Sequence, residues 1–345
     1  MTAQTMYFSV FAFMSLAVLG WCVFSVASGA ILYLSMLTTD NAALETEKMR
    51  DAERASAMYA HAKDPLIMEP LEAAKERWYA RRESGEISRH EILSRDGLRL
   101  SGYLWYPSVP AKGGLSEAVT GKAVVLVHGF MDSAAGMGYL AEAYHTDGWI
   151  VFAMDQRAHG ESEGTKRTMG VREADDLAGW IDWLSAREGV LSACVHGVSM
   201  GGATALFYAS KPRRVNPLVR YMISDSSYAS YSEAMTRVLV EAVKNRFLAA
   251  SIVRGASLAS LAFCGVRFGA MRPEAAAPRV SLPVCYFHGS GDVLVPVGSV
   301  RGLLRNGMKP GNECVVVPEA PHIGAYFYAP DLYMDKIRDF SRRNT

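Results

Sequence analysis

One serine of this sequence lies in the pattern Gly-x-Ser-x-Gly, in which a serine can act as a nucleophile. Ser199 is flanked by Gly197 and Gly201, an apolar run (residues 190–195) precedes it, and a helix-forming run (residues 203–210) follows it. Between a strand and a helix this pattern predicts a turn so sharp that flanking side chains would collide, which glycine avoids. The serine would then lie at the N-terminus of a helix, where backbone N–H groups and the helix dipole favour developing negative charge. The alternative is an ordinary turn rich in glycine and serine.

A serine nucleophile needs a base that takes its proton, and that base needs a carboxylate that orients it. His322 lies in a loop after the last predicted strand, at the same predicted sheet edge as Ser199, and is our candidate for the base. Asp292, in the loop after the penultimate strand, is our candidate for the carboxylate, and Asp225, after the preceding strand, is its rival. For three other histidines, each at the end of a strand and before glycine, we expect rings packed against turn backbone: His128, His196 and His288.

The tetrahedral intermediate of such a reaction needs hydrogen-bond donors for its oxyanion, each worth ~3 kcal/mol. The candidate donors are the backbone N–H groups of Met200, directly after Ser199, and of Phe130, shortly after a predicted strand. Because these are backbone groups, they place little chemical constraint on the side chains at the two positions.

Other motifs that carry chemistry are absent from the sequence. It has no His-Glu-x-x-His and no Cys/His cluster with zinc spacing, and the glycines and lysine of residues 114–122 are wrongly spaced for a P-loop. We therefore expect no metal, nucleotide or redox cofactor. The net charge of +1 gives no reason to expect a nucleic acid partner. The five cysteines have no paired spacing, which argues against a disulfide-stapled domain.

The first 39 residues contain no Asp, Glu, Lys, Arg or His, and residues 6–37 form an apolar run. This run is longer than the about 20 residues that a membrane crossing needs, so we expect an N-terminal, single-pass membrane anchor. The alternative is a cleaved signal peptide, for which residues 27–30 are suitably small, although no Lys or Arg precedes the apolar run. The basic residues that follow it favour a catalytic domain on the cytoplasmic face. Residues 40–86 are expected to form a helical stalk or a helix packed on the domain.

Residues 87–345 show the alternation of an α/β protein. A hairpin is predicted around Asp96-Gly97, and from residue 123 apolar runs typical of buried parallel strands alternate with amphipathic helices. This order predicts a mostly parallel, doubly wound sheet. One interval interrupts the alternation, since more than fifty residues with helical patterns separate two strands. Ligands bind outside the carboxyl ends of such strands, so we expect this insertion, at about residues 229–279, to form a basic and partly apolar cap.

From about Arg89 to Arg342 the sequence resembles the α/β-hydrolase superfamily. The motifs that carry the resemblance are His128-Gly129-Phe130, the loop of residues 155–162, Gly197–Gly202, His288–Pro296 and His322. The chain order Ser199, Asp292, His322 is also the order of that fold. The resemblance implies that the loop of residues 155–162 is structural rather than catalytic. Ala158 departs from the family, which usually has glycine there, and the Gly-Gly-Gly-x oxyanion loop of some lipases and esterases is absent.

Within the superfamily the sequence is similar to bacterial membrane-anchored serine hydrolases described as esterases, lysophospholipases or peptidase-like. We therefore expect a membrane-anchored serine hydrolase that cleaves a carboxylic ester, such as a lysolipid or another acyl ester, through an acyl-enzyme. A peptidase or a thioesterase would share the same three catalytic residues. A non-catalytic binding protein of the same fold would be expected to lack one of them, and this sequence retains all three.

Overall fold

The computed structural model describes residues 3–38, 64–107, 121–307 and 309–345, and for residues 3–13, 16 and 17 it describes only the helical backbone. Residues 40–63 of the predicted stalk, with the basic residues that orient the predicted anchor, lie outside the described residues. The rest of that stretch contains a helix, Pro65–Glu83, which the Asp64 side chain caps by accepting a hydrogen bond from the Leu66 N–H.

Eight strands form one sheet in the order β1-β2-β4-β3-β5-β6-β7-β8. Strands β1 and β2 pair antiparallel with each other, β2 pairs antiparallel with β4, and all the other pairs are parallel. The predicted mostly parallel, doubly wound sheet is therefore confirmed. The strands are β1 (Ile87–Leu93), β2 (Arg99–Trp105), β3 (Lys122–Val127), β4 (Ile150–Met154), β5 (Ser192–Val198), β6 (Val219–Asp225), β7 (Val284–Gly289) and β8 (Glu313–Val317).

Helices lie between most of the strands along the chain. The α-helices are α1 (Ala3–Leu37), α2 (Pro65–Glu83), α3 (Gly138–Thr146), α4 (Glu173–Ser185), α5 (Met200–Ala209), α6 (Tyr231–Val243), α7 (Arg246–Cys264), α8 (Pro273–Ala276), α9 (Gly298–Gly307), α10 (Ala325–Tyr328) and α11 (Pro330–Asn344). Because helices cover both faces of a parallel sheet, its central strands are buried on both sides, as β3 and β4 are here.

The structure confirms the predicted hairpin and corrects the bounds of the strand predicted before Ser199. The hairpin is confirmed, since Gly97 adopts a left-handed conformation (φ 86°) and the Ser94 N–H donates to the Leu98 carbonyl. The strand was expected at residues 190–195 and instead runs from Ser192 to Val198. It continues to Val198 because the residues that read as the start of the turn still pair with β3 and β6.

The described chain divides into two compact units. One comprises the N-terminal residues Met1–Thr38 with Tyr231–Ala270, and the other comprises Thr39–Ser230 with Met271–Thr345 and contains the whole sheet. The insertion between β6 and β7 is helical, with α6 and α7 in the first unit. The sequence-based division into an anchor (1–39), a stalk (40–86) and a hydrolase domain with a cap (229–279) stays a prediction.

Two helices among the described residues are long and apolar enough to cross a membrane. One is the Val18–Leu37 part of α1, and the other is α7. Length and composition alone do not distinguish such helices from a signal sequence or from a core helix.

Candidate active site

Ser199 occupies a strained turn between β5 and α5. Its backbone has φ 53° and ψ −113°, a conformation that residues with a side chain rarely adopt. A Cβ atom on Gly197 would lie 2.2 Å from the Gly201 carbonyl oxygen, and one on Gly201 would lie 1.9 Å from the Val127 carbonyl oxygen. The turn therefore requires glycine on both sides of the serine, which is the steric reason for the Gly-x-Ser-x-Gly pattern.

His322 lies in the loop between β8 and α10, with its ring between two other candidate residues. Its Nε2 is 2.9 Å from Ser199 Oγ, and its Nδ1 is 2.7 Å from Asp292 Oδ2. The histidine and the aspartate are 3% and 4% exposed, whereas Ser199 is only half-buried. The hydroxyl is therefore the member of this line of three that solvent can reach.

The loops that carry His322 and Asp292 are bound to each other by their backbones. The Gly291 N–H donates to the Ala320 carbonyl, and the Glu319 N–H donates to Ser290 Oγ. These bonds fix the separation of the two loops, so the distance between the histidine and the aspartate does not depend on their side chains alone.

The Asp292 carboxylate has a partner for each oxygen. Its Oδ1 accepts hydrogen bonds from the backbone N–H groups of Leu294 (3.0 Å) and Val295 (2.7 Å), which leaves Oδ2 for His322. The His288 Nε2, 2.6 Å from the Val295 carbonyl, also lies 3.4 Å from Oδ2. The N–H groups of Leu294 and Val295 and the ring of His322 thus hold the carboxylate in one orientation, as a group that orients an imidazole must be held.

The two predicted oxyanion donors belong to segments next to Ser199. Met200 is the first residue of α5, and the first N–H groups of a helix have no partner within that helix. The loop of Phe130 passes close to Ser199, because a Cβ on Gly129 would lie 3.5 Å from Ser199 Cβ. His128 fixes this loop through hydrogen bonds of its ring and its carbonyl with Gln156. The role of both N–H groups as oxyanion donors stays a prediction.

Asp225, the rival carboxylate, contacts other groups than the histidine ring. Its Oδ2 accepts a hydrogen bond from the Tyr333 hydroxyl (2.8 Å) and its Oδ1 accepts one from Ser226 Oγ (2.8 Å). The Ile323 N–H in turn donates to Ser226 Oγ at 3.2 Å. Asp225 thus reaches the backbone next to His322 through one serine, an indirect connection that the sequence did not suggest.

The same network extends into the core through His196. Its Nε2 lies 2.9 Å from the Tyr333 hydroxyl and its Nδ1 lies 3.0 Å from the Tyr144 hydroxyl. Because Tyr333 donates its proton to Asp225, it must accept from Nε2–H, and Nδ1 then accepts from Tyr144. Burial lowers the pKa of His196 to about 3, so the ring is neutral, and burial raises the pKa of Asp225.

The loop of residues 155–162 has the structural role that the resemblance implied. Asp155 is fully buried and accepts hydrogen bonds from the Ala134 N–H, the Glu161 N–H and the Tyr103 hydroxyl. Ala158 has φ 59°, a left-handed conformation that glycine adopts without strain. This explains physically why glycine is favoured at this position, where alanine adopts the left-handed conformation in this chain.

Across the described ranges, no cluster of three or more His, Cys, Asp or Glu side chains has an arrangement that could hold a metal ion.

Comparisons with known proteins place these residues in a wider context. A family model described as serine aminopeptidase S33 matches residues 119–262 of the chain. The match includes Ser199 and Met200 and ends before Asp292 and His322. It therefore gives no support to the assignment of those two residues, which depends on their geometry.

Two relatives are 24% identical to this chain over the residues that align. The chain is 24% identical over 281 residues to the monoacylglycerol lipase of Mycolicibacterium smegmatis, which covers 72% of this chain and 91% of the lipase. It is also 24% identical over 225 residues to the uncharacterized protein YqkD of Bacillus subtilis, which covers 64% of this chain and 71% of YqkD.

Several solved structures have the same fold. The esterase Pf2001 of Pyrococcus furiosus superposes with a TM-score of 0.59 at 22% identity, over 75% of this chain and 91% of the esterase. A membrane phospholipase A, described as a bacterial virulence factor, superposes with a TM-score of 0.52 at 16% identity, over 83% of this chain and 96% of that protein. At these identities the likeness shows the fold.

Proposed function

Because the chain has the α/β-hydrolase fold and a serine-hydrolase family model matches residues 119–262, we propose that it is a serine hydrolase with Ser199 as its nucleophile, His322 as its base and Asp292 as the orienting carboxylate. The observation that carries the proposal is the continuous line of two hydrogen bonds, 2.7 Å and 2.9 Å long, from the carboxylate through the imidazole to the serine hydroxyl. Such a line transfers a proton away from the hydroxyl as it attacks.

The reaction proceeds in two halves. Ser199 Oγ forms a bond to the substrate carbonyl carbon while its proton passes to His322 Nε2, and the N–H groups of Phe130 and Met200 hold the oxyanion. The imidazolium returns that proton to the leaving alcohol as the acyl–oxygen bond breaks. Water then attacks the acyl-enzyme with the same histidine as base, and the acid and free serine are released.

A carboxylic ester is the proposed substrate class. An esterase and a monoacylglycerol lipase are among the proteins that this chain resembles, and a membrane phospholipase A shares its fold. An acyl ester from the lipid phase also fits a chain whose N-terminal helix is apolar enough to cross a membrane. We propose an acyl ester such as a monoacylglycerol or a lysolipid.

A second candidate is an amide substrate. The matching family model is described as a serine aminopeptidase, and the same three residues cleave amides and thioesters. A parallel panel of p-nitrophenyl esters, monoacylglycerols, lysophospholipids, acyl thioesters and aminoacyl amides separates the classes by their kcat/KM.

The nucleophile is tested with a fluorophosphonate probe on the full chain in detergent. We expect the probe to label the wild type, and we expect Ser199→Ala to lose the label and to lower kcat by a factor on the order of 10^6. Ser185→Ala, a matched change at an exposed serine, should retain both the labelling by the probe and the wild-type kcat. Labelling of the Ser199→Ala variant would show that another residue is the nucleophile.

We further propose that α1 anchors the protein in a membrane as a single-pass helix. Its support is the charge-free composition of residues 1–39 and the length of the helix. Retention of the chain in the pellet after alkaline extraction, with an intact N-terminus by mass spectrometry, is the expected result. A mature chain that begins after residue 30 would show that the helix is a signal peptide instead.

A further inference from the structure

Helices α1 and α7 pack side by side through small residues. The hydroxyls of Ser25 and Ser251 share a buried hydrogen bond of 2.8 Å. A Cβ on Gly29 would lie 2.1 Å from the Ala256 nitrogen, and one on Gly255 would lie 1.9 Å from the Ser25 carbonyl oxygen, so the two backbones are in direct contact. Residue numbers increase together along this seam, which means that the two helices run parallel.

The seam places exposed aromatic rings of the two helices at one level. Trp21 precedes Ser25 by four residues and Phe247 precedes Ser251 by four residues, a rise of about 6 Å on each helix. Phe247 is 87% exposed, the most exposed of the large apolar side chains in the described residues, and Trp21 is 48% exposed. The ring of Phe24, equally exposed, lies 6.0 Å from that of Trp21. Aromatic rings at a common level are typical of a membrane–water interface.

Basic residues flank Phe247 at the turn between α6 and α7. This turn, residues 243–248, is called the hairpin tip below, and its Lys244 and Arg246 are exposed. Within residues 231–270, five basic residues stand against two acidic residues. Exposed cations beside an exposed aromatic ring fit a surface of anionic phospholipid.

Charge also sets which side of the hairpin tip can enter hydrocarbon. On one side, residues 3–20 of α1 contain no Asp, Glu, Lys, Arg or His and span about 27 Å, close to the ~30 Å thickness of a hydrocarbon core. On the other side, Glu233, Arg237 and Arg254 are exposed on α6 and α7, and such groups are costly in hydrocarbon. The membrane boundary therefore belongs at the level of Trp21 and Phe247.

We propose that the hairpin tip is a membrane-contact surface for anionic phospholipid. Phe247 enters the boundary between headgroups and acyl chains, while Lys244 and Arg246 bind lipid phosphates. The seam with α1 holds the tip at this depth, so the insertion between β6 and β7 is part of the membrane-binding apparatus. The proposal rests on the proposed anchoring by α1 and is independent of the proposed ester hydrolysis.

The depth of the hairpin tip in the bilayer is tested on the full chain in proteoliposomes of phosphatidylcholine with phosphatidylglycerol. Single cysteines replace Met14, Phe247 or Leu258 in a background in which the exposed Cys22 and Cys314 are serines, and each cysteine carries a fluorophore. Lipids with a nitroxide near the headgroup end of the acyl chain should quench the label at 247 several-fold more than the label at 258. A nitroxide deep in the chain should quench the label at 14.

Each other outcome contradicts the proposal. An unquenched label at 247 with a quenched label at 14 shows a hairpin tip in water beside a true anchor. Equal quenching at 247 and 258 shows that α7 is submerged along its length. An unquenched label at 14 shows that α1 is no anchor, and the proposed contact surface then fails together with the proposed anchor. Ester hydrolysis is measured separately with a soluble ester, so its failure is distinguishable.

Two sets of variants test the charges and the seam. Lys244→Ala and Arg246→Ala should each lower the lipid contact of the label at 247 about fivefold in equilibrium constant, and only when phosphatidylglycerol is present. Gly255→Leu should separate the helices and release the label, and Gly269→Leu is the matched control, because a Cβ there meets nothing within 4 Å. Contact that survives both Gly255→Leu and the loss of the two charges would overturn the proposal.

Discussion

Two buried carboxylates lie at the carboxyl ends of the neighbouring strands β6 and β7, and they differ in their hydrogen bonds. Asp292 turns one oxygen to the His322 ring, whereas both oxygens of Asp225 accept from hydroxyl groups. In the proposed reaction, a charge developing on the imidazole would therefore be compensated directly by Asp292. Asp225 contacts the loop backbone only through Ser226, so its proposed role is to position the loop.

The two aspartates are separated by matched substitutions. Asp292→Asn should lower kcat by about 10^4, because the amide no longer favours the reactive tautomer of the histidine. Asp225→Asn should retain most of kcat and lower the free energy of unfolding by ~1–3 kcal/mol, since an amide nitrogen cannot accept from a hydroxyl in the place of an oxygen. Steady-state kinetics and urea unfolding of both variants measure the two effects. The reverse order of kcat losses would make Asp225 the catalytic carboxylate.

At the scale of elements, the site depends on the close approach of three backbones. Strand β3, strand β5 and the start of α5 meet where Gly197 and Gly201 leave no room for a side chain. This contact, and not the serine itself, fixes the direction in which Ser199 leaves the sheet.

A methyl group at that contact should be costly. Gly201→Ala is expected to destabilise the fold by ~1–3 kcal/mol, because its Cβ would lie 1.9 Å from the Val127 carbonyl oxygen and the strand would have to move. Gly298→Ala is the matched control, with nothing within 4 Å of its Cβ. Thermal unfolding of the two variants in detergent compares them. Equal melting temperatures would mean that the turn relaxes freely and is not a rigid support.

At the scale of the whole molecule, the buried network from Tyr144 to Asp225 predicts a dependence of stability on pH. The pKa of His196 is about 3 in the folded state, against about 6.5 unfolded. Between these values the unfolded chain binds a proton that the folded chain excludes. This contribution to stability is therefore complete above about pH 6.5 and is lost as the pH falls toward 3.

His196→Gln isolates this contribution, since glutamine can still donate to Tyr333 and accept from Tyr144. Relative to its own stability at pH 7, the wild type should lose about 2–3 kcal/mol more than the variant at about pH 4.5. Urea unfolding at both pH values measures the difference. Parallel losses in the two proteins would place the acid sensitivity at other residues.

Much of the fold was predictable, because strands that are buried on both faces of a sheet are continuous apolar runs in the sequence, such as residues 123–127. The close approach of Ser199, Asp292 and His322 also followed from their places after strands of one sheet. The roles of Ser226 and Tyr333 were not predictable, since they depend on hydrogen bonds between distant segments. The pairing of α1 with α7 also left no pattern, because its residues are small and uncharged.

The hydrogen bond between the Ser25 and Ser251 hydroxyls joins residues that are 226 positions apart. At about 5–20 residues per second, a ribosome needs about ten to forty-five seconds to make the second serine after the first. During this interval α1 has no seam partner, and its charge-free surface is available to the lipid bilayer. In the proposed anchoring, membrane insertion of α1 would therefore precede its docking to α7 during synthesis, and the hairpin of α6 and α7 would fold against a helix that is already in place.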